Sequence, residues 1–322
     1  MLKIVSFASR NPERQRELAE GVAKVSDGQA TVYFAADDDD AVTALADADI
    51  LHAHRLTPQL YAAGPRLQWI HLSSAGVDHS LFEPLIDSEV VLTNSRGLHA
   101  QPMAEWVLGA LLYWSQRFAI AEEWRRDREW KAPKKQMVEE RRTLKGMTAL
   151  VVGYGEVGKG IADLLLSVGM RVEAIASTER ISRVRVYPIE ELEERLEQND
   201  VVILTLPLTK RTRGLFNRRI FPLMKEGSVF VNVARGAIVD ETDLVAALRL
   251  GKPAYALLDV FAAEPLSPDS ELFALPNVFM TPHVSGNFPD YTRLVHEIFL
   301  ENLAHYLNET PMRYVVDKKR GY

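Results

Sequence analysis

Three segments in the last third of the chain carry polar side chains with complementary chemistry. Arg235, Glu264 and His283 each follow a short apolar stretch of the kind that forms a strand in a parallel sheet. An arginine can hold a carboxylate through two hydrogen bonds, and a histidine can exchange a proton near neutral pH. A carboxylate beside that histidine would fix its tautomer. The three residue types together predict acid–base chemistry on a small anionic substrate.

Each of these residues also has an ordinary structural explanation. Arg235 could form a salt bridge, Glu264 could lie on a surface loop, and His283 could be a core histidine bonded to the backbone. Their recurrence at successive strand ends favours a shared site, because ligands of open parallel sheets bind at the carboxyl ends of the strands.

A glycine fingerprint precedes these residues. Gly153, Gly155 and Gly158 follow the predicted strand 148–152 and open a predicted helix, which is the setting of a dinucleotide-binding turn. The amides of Glu156 and Val157 at that helix start would face a pyrophosphate. The alternative is a strand–helix turn whose glycines serve packing alone. With a bound nicotinamide, the predicted chemistry becomes reduction of a 2-keto acid, with His283 as the proton donor and Arg235 on the substrate.

The residues after the next strand, 171–176, indicate which dinucleotide binds. An acidic residue that bonds the ribose hydroxyls of NAD is expected at this strand end, but Ala176 and Ser177 stand there. Ser177, Thr178 and Arg180 suit a 2′-phosphate better than a carboxylate would. We expect NADP to be preferred and keep NAD as the alternative.

The elements that must position these residues follow an alternating pattern. Apolar runs at 148–152, 171–176, 201–206, 228–233, 254–258 and 278–280, with helical patterns between them, predict a doubly wound parallel sheet. A similar rhythm at 3–8, 31–34, 50–53, 67–72 and 90–93 predicts a second α/β sheet. We expect helices at 101–118, 122–142 and 291–307, the second of them charged and facing solvent or another subunit.

Composition narrows the classes of function. The chain has 322 residues, a net charge of −6 and no cysteine, which excludes disulfides, zinc–thiolate sites and a cysteine nucleophile. The negative net charge gives no positive surface potential that would attract nucleic acid. The apolar runs are too short to span a membrane, and no residue pattern predicts a metal site. The N-terminus lacks a signal-peptide pattern, so we expect a cytoplasmic protein.

The motifs resemble those of the D-isomer-specific 2-hydroxyacid dehydrogenase family, most closely the short glyoxylate/hydroxypyruvate-type reductases. The resemblance is carried by residues 153–158, 207–209, 212–217, 224–240, 259–265 and 281–283. It implies two Rossmann-like doubly wound domains with the active site in the cleft between them. It also implies a dinucleotide-binding domain at 99–286, a substrate-binding domain formed by 1–98 and 287–322, a D-hydroxy acid product, and a homodimer formed through helix 101–118 and its arm.

The resemblance also implies roles for further residues. Ala75 and Gly76 would donate backbone amides to the substrate carboxylate, although a purely structural turn fits them equally. Asp259 would lie near the nicotinamide carboxamide or act as a structural cap, and Met103 would contact cofactor or simply fill core. The remaining implied cofactor contacts are Pro207, Thr212, Val233, Ala234, Ser285 and Gly286.

Two alternative functions remain open. One is an NAD-linked D-hydroxyacid or phosphoglycerate dehydrogenase of the same family. The other is a dinucleotide-sensing binding protein, since corepressors in this family keep the fold; we expect an enzyme instead, because the sequence has no long disordered flanks for partner recruitment.

Overall fold

The computed structural model describes residues 1–128 and 130–322. The chain forms two compact units: unit 1 consists of Met1–Leu98 and Phe288–Tyr322, and unit 2 consists of His99–Asn287. Each unit is built on one sheet with helices. Within the described residues, no helix is long and apolar enough to cross a membrane.

The first 98 residues build the sheet of unit 1. Its five strands are parallel and lie in the order β2-β1-β3-β4-β5. The strand β2 lies on one side of β1, and β3, β4 and β5 lie on the other side. This order is that of a doubly wound sheet whose switch point lies between β1 and β3. The strands are β1 (Leu2–Ser6), β2 (Ala30–Phe34), β3 (Ile50–Ala53), β4 (Trp69–Leu72) and β5 (Val91–Asn94). The helices are α1 (Pro12–Val25), α2 (Asp38–Leu45), α3 (Pro58–Ala63) and α4 (Glu83–Ile86).

Unit 2 carries an eight-stranded sheet in the order β13-β12-β11-β10-β6-β7-β9-β8. The helices are α5 (Ala100–Ser115), α6 (Phe118–Asp127), α7 (Lys131–Glu140), α8 (Glu156–Ser167), α9 (Leu192–Leu196) and α10 (Glu241–Arg249). The strands are β6 (Thr148–Val152), β7 (Arg171–Ala176), β8 (Arg180–Ile181), β9 (Arg185–Pro188), β10 (Val201–Leu204), β11 (Val229–Asn232), β12 (Tyr255–Leu258) and β13 (Val278–Met280). Four of its central strands, β6, β10, β11 and β12, have almost no solvent exposure, as parallel strands covered on both faces must.

The structure confirms the predicted α/β class with parallel sheets and corrects two details in unit 2. The edge strand β8 pairs antiparallel with β9, and neither strand was predicted, because the alternation of charged and apolar residues at 183–186 is short. The helix predicted at 122–142 is two helices, α6 and α7. Arg128 ends α6 in a left-handed conformation with a φ of 56°, which a continuous helix cannot contain. Glu129, which belongs to the predicted helix, lies outside the described residues.

The last helix, α11 (Tyr291–Leu307), completes unit 1. Its buried Phe299 and Leu303 pack with Ile4, Leu18 and Trp69 in one cluster, beside α1. Burial of such side chains contributes about 1.5–3 kcal/mol each, which holds α11 on the sheet although nearly 200 residues separate it from β5.

Candidate active site

The fingerprint turn brings the start of α8 close to the sheet. Gly153 follows β6 with a φ of 109°, a conformation that disfavours any side chain. A Cβ atom on Gly158 would lie 2.1 Å from the carbonyl oxygen of Gly153, so only glycine permits this approach. The Thr205 hydroxyl donates to the same carbonyl at 2.6 Å. Helix α8 therefore begins directly over the end of β6.

The N-terminus of α8 is open to a ligand. Gly155 precedes the helix without a side-chain cap, and a Cβ atom built on it would meet nothing within 4 Å. The first amides of a helix lack acceptors in the helix itself, and the helix dipole adds partial positive charge there. Glu156 turns its carboxylate to Lys159, 3.0 Å away. The turn thus fits the pyrophosphate of a dinucleotide, as the predicted roles of Glu156 and Val157 require.

A cationic group lies beside this turn at the end of β7. The Arg180 guanidinium donates to the Tyr154 carbonyl at 3.0 Å, which places it against the fingerprint. Ser177 and Thr178 are exposed at the same strand end. The only acid of this segment, Glu179, pairs with Arg185 at 3.7 Å. The strand end therefore presents hydroxyl groups and a positive charge to solvent.

His283 and Glu264 form a bonded pair. The Nδ1 atom of His283 lies 2.7 Å from Oε2 of Glu264, and Oε1 of Glu264 accepts a hydrogen bond from the Phe261 amide at 2.9 Å. With the carboxylate on Nδ1, the Nε2 atom of the half-exposed ring remains to exchange a proton with a substrate. His283 has a φ of 53°, and its amide donates to the Asp259 carbonyl at 2.8 Å, which holds this unusual backbone in place.

Asp259 organises the loop that carries His283. Its side chain is completely buried, and its carboxylate accepts the amides of Val284 and Ser285, each at 2.9 Å. The Thr281 hydroxyl donates to the same carboxylate and itself accepts the indole N–H of Trp106 at 3.1 Å. Asp259 therefore acts as a structural cap of this loop. Its contact with the nicotinamide stays a prediction.

Arg235 lies at the end of β11 in a tightly connected turn. The buried Asn232 side chain accepts the Ala234 amide at 3.0 Å and donates to the Arg235 carbonyl at 3.2 Å. A Cβ atom on Gly236 would lie 1.8 Å from the carbonyl carbon of Phe261, so the turn packs directly on the loop that leads to Glu264. Hydrogen bonds and close packing therefore connect all three predicted catalytic segments within unit 2.

His99 is a site residue that the sequence analysis missed. Burial, together with the smaller effects of the nearby positive charges of Arg235 and His283, lowers the pKa of His99 to about 4. Its ring lies against Gly286, where a Cβ atom would come within 2.6 Å of Cδ2. A neutral imidazole therefore lines the neighbourhood of the catalytic groups at physiological pH. Nothing in the sequence distinguishes this histidine from an ordinary helix-start residue.

The other predicted cofactor residues lie either in the loop after β10 or at buried positions of unit 2. Thr212 donates its hydroxyl to the Pro207 carbonyl at 2.7 Å and thereby closes the loop after β10. Met103 is buried on α5 in the core of unit 2, together with Val233. Ala234 and Ser285 are also buried, next to the catalytic loops. Contacts of these residues with a cofactor stay predictions.

The predicted substrate loop lies in unit 1, directly after β4. Ala75 and Gly76 are half-buried there. Within the described residues, the backbone amides of Ala75 and Gly76 donate to no protein group. Such amides can receive an anion, which agrees with the predicted role and does not test it.

Comparison with known proteins identifies the family. The profile described as "D-isomer specific 2-hydroxyacid dehydrogenase, NAD binding domain" matches residues 108–285, more than half of the chain. This chain belongs to the D-isomer specific 2-hydroxyacid dehydrogenase family. It is an NAD(P)-dependent oxidoreductase, and the family and enzyme class predicted from the motifs are confirmed.

Two members of the family are about a third identical to this chain over the aligned residues. A D-3-phosphoglycerate dehydrogenase of Archaeoglobus fulgidus is 31% identical over 266 residues, which cover 82% of this chain and 50% of that protein. This chain therefore spans about half the length of that relative. A glyoxylate reductase of Thermococcus onnurineus is 32% identical over 263 residues, covering 80% of this chain and 78% of that protein.

Solved structures of the family cover this chain almost completely. A family protein from Aeromonas salmonicida aligns with a TM-score of 0.83 and 31% identity over 98% of this chain and 99% of that chain. An NADPH-dependent glyoxylate/hydroxypyruvate reductase from Sinorhizobium meliloti, solved with NADP and sulfate, aligns with a TM-score of 0.84 and 26% identity over the full length of both chains. These alignments confirm the two-domain α/β fold of this family member.

Proposed function

We propose that this family member is an NADPH-dependent reductase of small 2-keto acids that forms D-2-hydroxy acids. The observation that carries the proposal is the 2.7 Å pair of His283 and Glu264, joined through its loops to the turn that bears Arg235. The glyoxylate reductases among its relatives and the hydroxypyruvate reductase among its structural neighbours support a small 2-keto acid as substrate.

Arg235, His283 and Glu264 each have a separate role in the proposed reaction. Arg235 holds the substrate carboxylate and polarises the keto oxygen, which a planar guanidinium can do with two donors. A nicotinamide held at the dinucleotide turn would supply the hydride, with its two electrons, for the keto carbon. His283 gives the Nε2 proton to the keto oxygen, so that the alcohol forms without a free alkoxide. Glu264 keeps the proton on Nδ1 and stabilises the charged ring before the proton leaves.

The preference for NADPH is supported by the end of β7. Arg180 lies against the fingerprint, and Glu179 is paired with Arg185, so a 2′-phosphate would meet a cation and hydroxyl groups there. A probable 2-hydroxyacid dehydrogenase from Rhizobium etli, 26% identical, was solved with NADP, and a relative from Xanthobacter autotrophicus, 28% identical, with NADPH.

The homodimer is also part of this proposal. Helices α6 and α7 enclose an apolar groove of about 360 Å³, which we call the arm groove. Three of its lining side chains are strongly exposed: Trp130 by 66%, Val138 by 65% and Phe118 by 46%. Apolar side chains of this size at the surface favour burial against a second copy of the chain. The cytoplasmic location and the absence of nucleic acid and membrane partners stay predictions.

The test is a panel of 2-keto acids assayed with NADPH and with NADH. We expect oxidation of NADPH when glyoxylate or hydroxypyruvate is added, at a lower KM for NADPH than for NADH. His283→Ala should abolish turnover and leave NADPH binding, measured by fluorescence titration, unchanged. Full turnover in that variant would refute the role of His283, and a wild-type protein inactive on every acid of the panel would refute the proposed function.

A further inference from the structure

Four consecutive backbone carbonyls at the start of the loop after β4 accept hydrogen bonds. The side chain of Tyr291, the first residue of α11, reaches this loop, and so does the side chain of Asn94 at the end of β5. Four consecutive carbonyls accept one hydrogen bond each: Ser73 from the Tyr291 hydroxyl, Ser74 from the Ser95 amide at 3.2 Å, Ala75 from the Asn94 side-chain amide at 2.5 Å, and Gly76 from the Ser74 hydroxyl at 2.8 Å.

Holding a carbonyl also orients the amide that follows it. The peptide unit is planar and trans, so its N–H points away from its C=O. Asn94, bound to the Ala75 carbonyl, therefore directs the Gly76 amide, and Tyr291, bound to the Ser73 carbonyl, sets the first peptide plane of the loop. The amides of Ala75 and Gly76 point away from the groups that hold the loop.

Both supporting side chains are firmly placed. Asn94 is 2% exposed, and its backbone continues β5. Tyr291 begins a helix whose next turns are packed in the core through Val295 and Phe299. Burial raises the pKa of Tyr291 to about 12, so the hydroxyl keeps its proton and can donate throughout the neutral range.

We propose that Asn94 and Tyr291 are positioning residues of a loop that binds the carboxylate of the 2-keto acid: Asn94 aims the Gly76 amide at the carboxylate, and Tyr291 holds the peptide plane with which the loop begins, ahead of the Ala75 amide. The inference rests on the proposed function and adds residues to it that the motifs do not indicate. Neither side chain exchanges a proton with the substrate. Each acts by keeping a peptide plane in the orientation that an anion requires.

The test compares two pairs of variants by steady-state kinetics with glyoxylate and NADPH. Tyr291→Phe and Asn94→Ala remove the two supports. Tyr306→Phe and Asn302→Ala are matched controls from α11, because Tyr306 donates to Gln68, which precedes β4 at the opposite end of that strand from the loop, and the buried Asn302 donates to the Arg313 carbonyl. The controls lose the same kinds of hydrogen bond and leave the loop intact.

We expect the KM for glyoxylate to rise about three- to tenfold in Tyr291→Phe and at least as much in Asn94→Ala, the range that one lost hydrogen bond produces. The kcat and the KM for NADPH should stay within about twofold of wild type, because the carboxylate is held equally in the ground and transition states. Both controls should retain the wild-type KM for glyoxylate.

The inference fails if Tyr291→Phe keeps the wild-type KM for glyoxylate, or if Tyr306→Phe raises it equally. If Asn94→Ala does not fold, as circular dichroism would show, Tyr291→Phe decides the question alone. Wild-type turnover separates the two proposals: an inactive wild-type protein refutes the proposed function, whereas an active one with an unaffected Tyr291→Phe variant refutes only the positioning role.

Discussion

A cluster of three buried histidines in unit 1 predicts a steep loss of stability in mild acid. The ring centroids of His52 and His71 are 5.4 Å apart, and those of His52 and His296 are 5.5 Å apart. His52 also stacks on Phe299 at 4.5 Å. His52 and His71 are fully buried and His296 is 5% exposed. Three imidazoles so close together in a core cannot all carry a charge.

The pKa values give the size of the effect. Burial, and to a smaller extent the neighbouring His296, lowers the pKa of His71 to about 3. Burial lowers that of His296 to about 4, while Glu17 raises it and Arg14 lowers it by smaller amounts. His52 is shifted in the same direction, by burial and by the other two rings.

The unfolded chain binds protons at these rings below pH ~6.5, whereas the folded chain does not until far lower pH. Their contribution to stability is therefore fully present above pH ~6.5 and is lost as the pH falls. His71 and His296 should each remove about 2 kcal/mol from the free energy of unfolding between pH 7 and pH 5. The carboxyl groups with lowered pKa values, such as Asp40 and Asp47, act only below this window.

His296→Phe tests this prediction. Neither ring nitrogen of His296 has a hydrogen-bond partner within the described residues, so an apolar ring of similar size removes the titration and breaks no hydrogen bond. Urea unfolding followed by circular dichroism at pH 7 and pH 5 should show a pH effect smaller by about 2 kcal/mol than in wild type. His305→Gln, on the same helix and bonded to Thr310, controls for the loss of a histidine as such. An equal pH effect in His296→Phe and wild type would refute the reasoning.

Three further predictions follow from the site and the arm groove. Gly236→Ala should lower kcat about a hundredfold, because the added Cβ atom would overlap the Phe261 carbonyl and displace the loop that leads to Glu264. An unchanged kcat in stopped-flow assays would contradict the close packing. Arg180→Ala should raise the KM for NADPH about tenfold or more and leave the KM for NADH within twofold of wild type. The exposed Arg183, changed to Ala, is the control. Equal effects of Arg180→Ala on both cofactors would argue against a contact with the 2′-phosphate. Trp130→Glu should convert the proposed homodimer to monomer in sedimentation experiments, and an unchanged mass would show that the arm groove is not the interface.

Much of the candidate site could be predicted because its signals are local. The fingerprint glycines lie within six residues of one another, and their spacing reflects a turn whose geometry those residues alone create. The catalytic segments each follow an apolar strand, so the rule that strand ends converge sufficed to group Arg235 with Glu264 and His283. The family motifs, which run through most of the chain, then supplied the reaction class.

What could not be predicted depends on long-range contacts or on single backbone conformations. The left-handed Arg128 divides a segment whose charge pattern reads as one helix, since the pattern records side-chain polarity and not φ. The edge strands β8 and β9 have only two and four residues, so they depend on pairing with the sheet, and the alternation of charged and apolar residues at 183–186 is too short to predict them. Both differences arise where tertiary context outweighs local propensity.

The sequence by itself determined most of the elements, the dinucleotide turn and the choice of three candidate catalytic side chains, because hydrophobic periodicity and motif spacing act over a few residues. Only the tertiary structure decided which distant groups support them. Thr281 lies between Asp259 and Trp106, 175 residues away in sequence from the latter, and Tyr291 reaches Ser73 over a separation of 218 residues. Such pairs form when helices pack on the sheets, and a contact between residues so far apart in the chain produces no periodic pattern in the sequence.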